Sequence, residues 1–367
     1  MATHRKTSVD GLTPKFLSVI FCHPKIAYLS SSIFITVTLT ERRKSMKKYV
    51  KLIGLFVLCL VFLSGTMTFA DEYPAKPIKL IVPWGAGGGT DALMRVIAHF
   101  AGKYLGQPMV VVNVPGVGGT MGARQGKDAK PDGYTLTATH ESVISSRIVG
   151  VSDFDYSDFI PIANMTLTPA MVAARPNAPW NDMKDMIAAA KKSPATVKFG
   201  ATLGSTSHFF PLDIANQAGI EFKIVGYEGT AKRQAALLGG FLDLGESNPA
   251  AGKKYFEAKK LKPLGIATEE RHVLLPNVPT LKEQGVNVLF AVNRGVCAPL
   301  KTPQAVIDKL GAVLAKVSQD PEFVEKIASL GSDVKYRDQA GYQAYIKEET
   351  SRLDMLAQKF NVKAKKK

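Results

Sequence analysis

The sequence predicts an α/β protein with mostly parallel sheets, and three observations carry that expectation. A strand, a small-residue turn and a helix follow one another repeatedly along the chain. Strands and helices alternate instead of segregating into separate halves. With a leader of 70 residues set aside, 297 of the 367 residues remain, enough for two domains with substantial cores.

The leader reads as two segments. Residues 1–45 are neither periodic nor charge-graded and read as a stretch upstream of the true start, Met46. From there the layout is that of a secretory signal: Lys47, Lys48 and Lys51, then the apolar run LIGLFVLCLVFL from Leu52 to Leu63, then Thr68-Phe69-Ala70 as the cleavage site. Asp71 would begin the exported protein. The apolar run is shorter than the roughly 20 residues of a membrane-spanning helix. Cys59 lies inside that run and not at the cleavage point, which argues against a lipid anchor.

The leader holds ten of the 47 basic and two of the 31 acidic side chains, so the exported part keeps +8 of the formal +16. The terminal KAKKK has no basic stripe interleaved with aromatics beside it and reads as a solvated tail, with no nucleic acid as partner. Cys22 and Cys59 fall in the leader, which leaves Cys297 alone and excludes an internal disulfide. Within GVCAPL it reads as a small buried filler.

The first unit opens with PIKLIVPWGAGGGTD. Ile78, Leu80 and Val82 alternate as in a half-buried strand, and Leu93, Val96, Ile97 and Phe100 repeat at helical spacing behind Thr90 as a cap. Between them Gly85, Gly87, Gly88 and Gly89, with Ala86, let unpaired amides at the helix start face an anion; a turn made only for packing is the other reading. The Gly-Lys-Ser/Thr ending of a P-loop and the GxGxxG spacing are both missing, which disfavours nucleotides. Without a lysine in the loop, the backbone supplies the attraction, and this suits a small carboxylate. Asp91 would repel such a ligand and is better placed to orient loop amides. Trp84 either walls a cleft or packs a sheet edge.

The pattern then repeats. MVVVNV from Met109 leads into PGVGGTMGARQGK, and YTLTAT and FIPIANM add strands. MVAARPNAPWNDMKDMIAAAKKS reads as strand, turn and helix. VKFGA from Val197 leads to a helix capped by Ser205, Thr206 or Ser207. FKIVGY precedes EGTAKRQAALLGG, and PLGIAT near Leu264 is another strand. After LFAVNRGVCAPL come long helices, the first with Val306, Leu310, Val313, Leu314 and Val317 on one face.

Ser205 or Ser207 with His208 contains the residue types of an exported serine hydrolase. GATLGSTSH is not the GxSxG turn, however, and no acidic partner is identifiable. His140 in ATHES either binds a carboxylate when protonated or caps a loop. His99, His140, His208 and His272 show no metal spacing, and no cofactor is expected.

Taken in order, YPAKPIKLIVPWGAGGGTD, LGQPMVVVNVPGVGGTMGA with PDGYTL, KFGATLGSTSHF, VGYEGTAKRQAALLGGFLDL and LPNVPTLKEQG resemble the periplasmic solute receptors of tripartite tricarboxylate transporters over almost the whole exported chain. The resemblance implies a two-lobed clamshell, monomeric and non-catalytic, that delivers a small carboxylate to large and small membrane subunits. It implies crossings near Met171 and Phe290, with residues 71–170 and 291–367 in one lobe and 171–290 in the other. In the family, ligand carboxylates are held by backbone amides and ordered waters at facing loops. Carried over, these are Trp84, Gly85, Ala86, Gly87, Gly88, Gly89 and Asp91 from one lobe and Gly204, Ser205, Thr206, Ser207 and His208 from the other. Thr139, His140, Gly245, Glu246 and Ser247 are expected beside the cleft. Two departures affect the wall that reads the ligand's far end: Asn293-Arg294-Gly295 replaces Trp-Arg-Gly, and Gly245-Glu246-Ser247 replaces an acidic loop.

Overall fold

The computed structural model describes residues 73–227 and 229–364. The expected upstream stretch, the expected secretion signal with cleavage after Ala70, and the last three lysines lie outside the described residues. The first elements are β1 (Ile78–Val82), α1 (Gly89–Leu105), β2 (Met109–Asn113), α2 (Thr120–Lys127), β3 (Thr135–Thr139), α3 (Ser142–Ile148), β4 (Phe159–Pro169) and β5 (Met171–Ala174). Next come α4 (Met183–Lys192), β6 (Lys198–Ala201), α5 (Thr206–Ala218), β7 (Lys223–Gly226), α6 (Gly229–Leu238), β8 (Leu244–Ser247), α7 (Pro249–Glu257) and β9 (Lys262–Ile266). The chain ends with β10 (Ala291–Pro299), α8 (Gln304–Gln319), α9 (Pro321–Ser329), β11 (Asp333–Arg337) and α10 (Gln339–Lys359).

The strands form two sheets, one in the order β11-β4-β10-β3-β1-β2 and the other β7-β6-β8-β5-β9. Parallel pairing holds β1 to β2 and β3, and β6 to β7 and β8. The sheets are nevertheless mixed and not mostly parallel. Strands β4 and β10 carry the chain out of and back into the first sheet, so they lie side by side in opposite directions; β5 and β11 are also antiparallel to their neighbours. A single residue, Ala170, separates β4 from β5. Its amide donates to the Phe290 carbonyl (2.9 Å), its carbonyl accepts from Ala267 (2.9 Å), and the Phe290 amide donates to Ala267 (3.1 Å). The two passages between sheets are therefore bonded to the same backbone.

β1 was expected to be half-buried, but Ile78, Leu80, Ile81 and Val82 are all fully buried. It lies between β2 and β3 with α1 and α2 both in contact, so each of its faces is covered. One core gathers β1, α1, α8 and α9; a second runs from α4, β6 and α5 through Phe290 to Tyr342, Leu353 and Leu356 of α10. The C-terminal helix thus packs across both passages. Its Arg352 pairs with Asp213 of α5 (2.5 Å) and with Glu349 (2.6 Å), and lies 4.9 Å from the Phe290 ring centroid.

On β10, Gly295 faces the ring of Tyr342, where an added Cβ would sit 2.5 Å from the nearest ring carbon. The Tyr342 hydroxyl shares hydrogen bonds with Thr139 (3.1 Å) and Tyr156 (2.9 Å). Burial pushes the neighbouring Cys297 thiol up to about 12, in keeping with an inert filler. Gly295→Ala must therefore displace a fully buried aromatic. It is expected to destabilise the protein by roughly 1–3 kcal/mol, read as a lower urea midpoint at unchanged slope; an unchanged midpoint would contradict this packing.

Candidate functional site

Loops after β1, β2 and β3 of the first sheet and after β6, β7 and β8 of the second converge on a cavity of about 640 Å³. This placement beyond the carboxyl ends of parallel strands is where open α/β sheets hold ligands, and the volume suits a small molecule.

At the glycine corner α1 starts at Gly89, with Gly88 as its N-cap and no side-chain cap. Thr90, expected to cap the helix, instead accepts a hydrogen bond from Arg294. The first-turn amides are left for a ligand. Asp91 is buried and holds the loop from behind: Oδ2 accepts from the Gly87 amide (2.9 Å) and Arg95 Nε (3.1 Å), and Oδ1 accepts from Asn113 Nδ2 (2.9 Å). Burial raises its pKa, but the hydrogen bonds from Arg95, Gly87 and Asn113 outweigh that and hold the carboxyl below its usual range. The same Asn113 nitrogen donates to the Trp84 carbonyl (2.9 Å). Asp91 therefore orients the loop and does not line the cavity. Trp84 does line it, stacked on His140 at 3.9 Å between centroids. Its ring fills the space over Gly119, where a Cβ would lie 2.9 Å from the indole, and this explains the second glycine turn.

His140 Nδ1 accepts from the Ser142 amide (3.1 Å), which puts the ring proton on Nε2. Burial, and then the charge of Arg294, keep its pKa well below the ordinary value. It is a neutral part of the wall, and the charged-ligand reading of His140 is corrected accordingly.

Across the cavity Ser205 is the N-cap of α5 without a capping side-chain bond. Ser207 Oγ accepts from the Thr202 amide (3.0 Å) and from Arg233 Nη1 (3.3 Å), and Ser205 Oγ donates to the Thr202 carbonyl (2.8 Å). His208 Nδ1 accepts from Gly204 N (3.4 Å), and no hydrogen bond joins its ring to either serine. Burial lowers the pKa of His208 below its ordinary value. The hydrolase reading thus lacks its nucleophile and base pair.

Arg294 is the site's main feature. It is 7% exposed on β10, with Nε donating to Thr90 Oγ1 (2.9 Å) and Nη1 to Thr168 Oγ1 (2.5 Å) and the Val292 carbonyl (3.3 Å). No carboxylate forms an ion pair with it among the described residues. Nη2 points toward Gly89, 4.0 Å from where a Cβ would be. Burial lowers its pKa to about 10, opposed by Glu141 and Glu246, so it stays charged at neutral pH. With Arg233 and Lys254 against Glu246, the cavity-facing side chains carry an excess of positive charge.

Of the residues expected here, the cavity is lined by Trp84, Gly85, Gly87, Gly88, Gly89, His140, Ser205, Thr206, Ser207 and Glu246. The others do not line it. Ala86 is exposed on the loop, Asp91 anchors the loop from behind, and Thr139 turns its hydroxyl to Cys297 and Tyr342. Gly204 packs under Val149 and Val151, Gly245 packs against Leu237, and the Ser247 hydroxyl turns to Gln234 at 3.5 Å. Arg294, expected with the wall that reads the ligand's far end, stands instead beside the glycine corner, and Arg233 was missed; a lone arginine inside the apolar strand AVNRGVCAP was the available signal for the first.

Several known proteins are similar to this chain. Residues 93–362 match the profile of the tripartite tricarboxylate transporter family receptor. A Cupriavidus necator protein encoded in the gbd 5' region is 30% identical over 295 residues, covering 80% of this chain and 90% of that protein. The structure of MatC from Rhodopseudomonas palustris with bound malate matches with a TM-score of 0.70 at 26% identity, covering 77% of this chain and 99% of that one. A second Rhodopseudomonas palustris structure, with adipate, gives 0.72 at 27% identity over 78% and 98% of the two chains.

Directly behind His140 lies a buried carboxyl, Glu141. Its Oε1 accepts from the Asn293 amide (2.8 Å) and the Tyr345 hydroxyl (2.6 Å), while Oε2 is buried without a partner. Burial, then Glu349, push its pKa up to about 7 against the hydrogen bonds from Tyr345 and Asn293. A folded pKa above the unfolded one means a contribution fully present below about 4.5 and lost as pH rises through about 7. Glu141→Gln keeps the Oε1 acceptor without the charge. Relative to the parent protein it is expected to gain stability between pH 4.5 and 8, by on the order of 3 kcal/mol. Urea unfolding at both pH values checks this; a pH-independent difference would contradict it.

Proposed function

The chain belongs to the tripartite tricarboxylate transporter receptor family, a family of solute-binding receptors and not of enzymes, and from that premise we propose that it encloses a small carboxylate between two lobes and delivers it to the large and small membrane subunits of a secondary transporter. The observation that carries this reading is Arg294, a buried guanidinium beside the open start of α1 with no carboxylate partner among the described residues. Two structural relatives hold malate and adipate, both small carboxylates.

Residues 71–170 with 291–367 would form one lobe and 171–290 the other, and the signal ending at Ala70 would place the receptor in the periplasm. The bonded backbone at Ala170, Ala267 and Phe290 is the natural pivot. Contacts between the lobes beside the cavity, Ser142 Oγ with Thr206 Oγ1 (3.3 Å) and Ser145 Oγ to the Gly204 carbonyl (3.0 Å), suit a closed arrangement. Ligand bound to both walls would favour that arrangement over an open one, and the membrane subunits would read the closed shape.

A thermal-shift panel of mono-, di- and tricarboxylates, sugars and cations tests the reading. A carboxylate is expected to raise the melting temperature with concentration; stabilisation by sugars or cations with none by carboxylates would overturn it. Arg294→Gln removes the charge and is expected to weaken binding of the active carboxylate by roughly 30-fold or more, measured by calorimetry on a variant with an intact melting transition.

A further inference from the structure

The two walls of the cavity each contain a buried arginine, and the two are partnered differently. On the wall that holds Arg294, both Nη2 hydrogens lack a partner among the described residues, so this side presents donors. The opposite wall also contains a buried arginine, Arg233 of α6, but its donors are committed. Nη1 donates to Thr202 Oγ1 (3.0 Å) and Ser207 Oγ (3.3 Å), and Nη2 to Thr230 Oγ1 (3.1 Å) and Glu246 Oε2. Its Nε is buried without a partner among the described residues.

Beside the Lys254 ammonium, that wall has two side-chain acceptors left over. Glu246 spends Oε2 on Arg233, and its Oε1 has no partner among the described residues. Gln234 is placed likewise. Its Nε2 donates to the Ala251 carbonyl (3.2 Å) and contacts Ser247 Oγ (3.5 Å), which leaves Oε1 as the free atom. Both residues line the cavity and both are buried. A ligand that met this wall with methylene groups alone would strip water from these oxygens without replacing its hydrogen bonds.

We infer that Glu246, supported by Gln234, is the specificity-determining residue of the site, selecting carboxylates that also carry a hydroxyl or ammonium group. This rests on the carboxylate reading above and extends it to the far end of the ligand. Arg233 acts through Glu246, holding it and balancing its charge.

Calorimetric titration of the purified protein with matched acids tests the inference: propionate, lactate and alanine; succinate, malate and aspartate; glutarate, 2-hydroxyglutarate and glutamate. In at least one set the hydroxy or amino acid is expected to bind about tenfold or more tightly than the unsubstituted parent, a difference of about 1.4 kcal/mol or more. The two arms separate a neutral donor from a cationic one. Glu246→Gln, which leaves Arg233 without its counter-charge, is expected to move that ratio about tenfold toward the parent acid. If the variant does not fold, the ranking on the unaltered protein decides. A parent acid that binds as well as its substituted forms, or a ratio that Glu246→Gln leaves unchanged, would overturn the inference and leave the carboxylate reading intact. Absence of heat from every set, in a protein that other carboxylates stabilise, would overturn it alone; absence of stabilisation by any carboxylate would overturn both.

Discussion

A guanidinium taken out of water loses several kcal/mol of hydration that hydroxyl and carbonyl acceptors only partly replace. Arg294 is held in that condition by Thr90, Thr168 and the Val292 carbonyl, and by no carboxylate among the described residues. Much of the architecture is arranged around it. Thr90 belongs to the first turn of α1, Thr168 to the end of β4 and Arg294 itself to β10, so the charge sits where the outgoing and returning strands meet the glycine corner. A ligand carboxylate entering there meets a charge and helix amides already oriented, which lowers the cost of ordering them on binding.

The support behind the corner follows the same logic. Asp91 and Asn113 tie the loop and the Trp84 carbonyl together from outside the cavity, while Arg95 binds both Asp91 and Asn113. The Asp91 charge that would repel a ligand is thereby turned into an anchor for the amide of Gly87. On the other wall the Arg233 and Glu246 pair is internally neutral. Arg294 on the first wall therefore keeps its charge available to a ligand, and Lys254 adds a second positive charge beside the neutral pair. Glu141 lies where these parts meet, bonded to Asn293 of β10 and Tyr345 of α10 behind the neutral His140.

The repeating strand, turn and helix units were legible because each depends on local signals: glycine between an apolar run and a 3.6-residue periodicity. Asp91 as a loop anchor was legible for the same reason. The direction of β4, β5 and β10 was not, since antiparallel pairing comes from how distant segments meet. β8 was missed because LGES has no apolar alternation; it is a strand only because β5 and β6 flank it. At the site, side-chain direction accounts for several of the misses. Thr139, His208 and Ser247 belong to the right segments but turn away from the cavity, Gly204 and Gly245 are covered by neighbouring side chains, and the role of Arg294 depends on partners 126 and 204 residues away in sequence.

The claim on which the rest depends is that Arg294 and the start of α1 together receive a carboxylate. The most direct measurement is a diffraction structure of the protein with a carboxylate that stabilises it. The account predicts a ligand carboxylate within hydrogen-bond distance of Arg294 Nη2 and of the Gly89 or Thr90 amide. A ligand bound with its carboxylate elsewhere, and Arg294 still bonded only to Thr90, Thr168 and Val292, would contradict it.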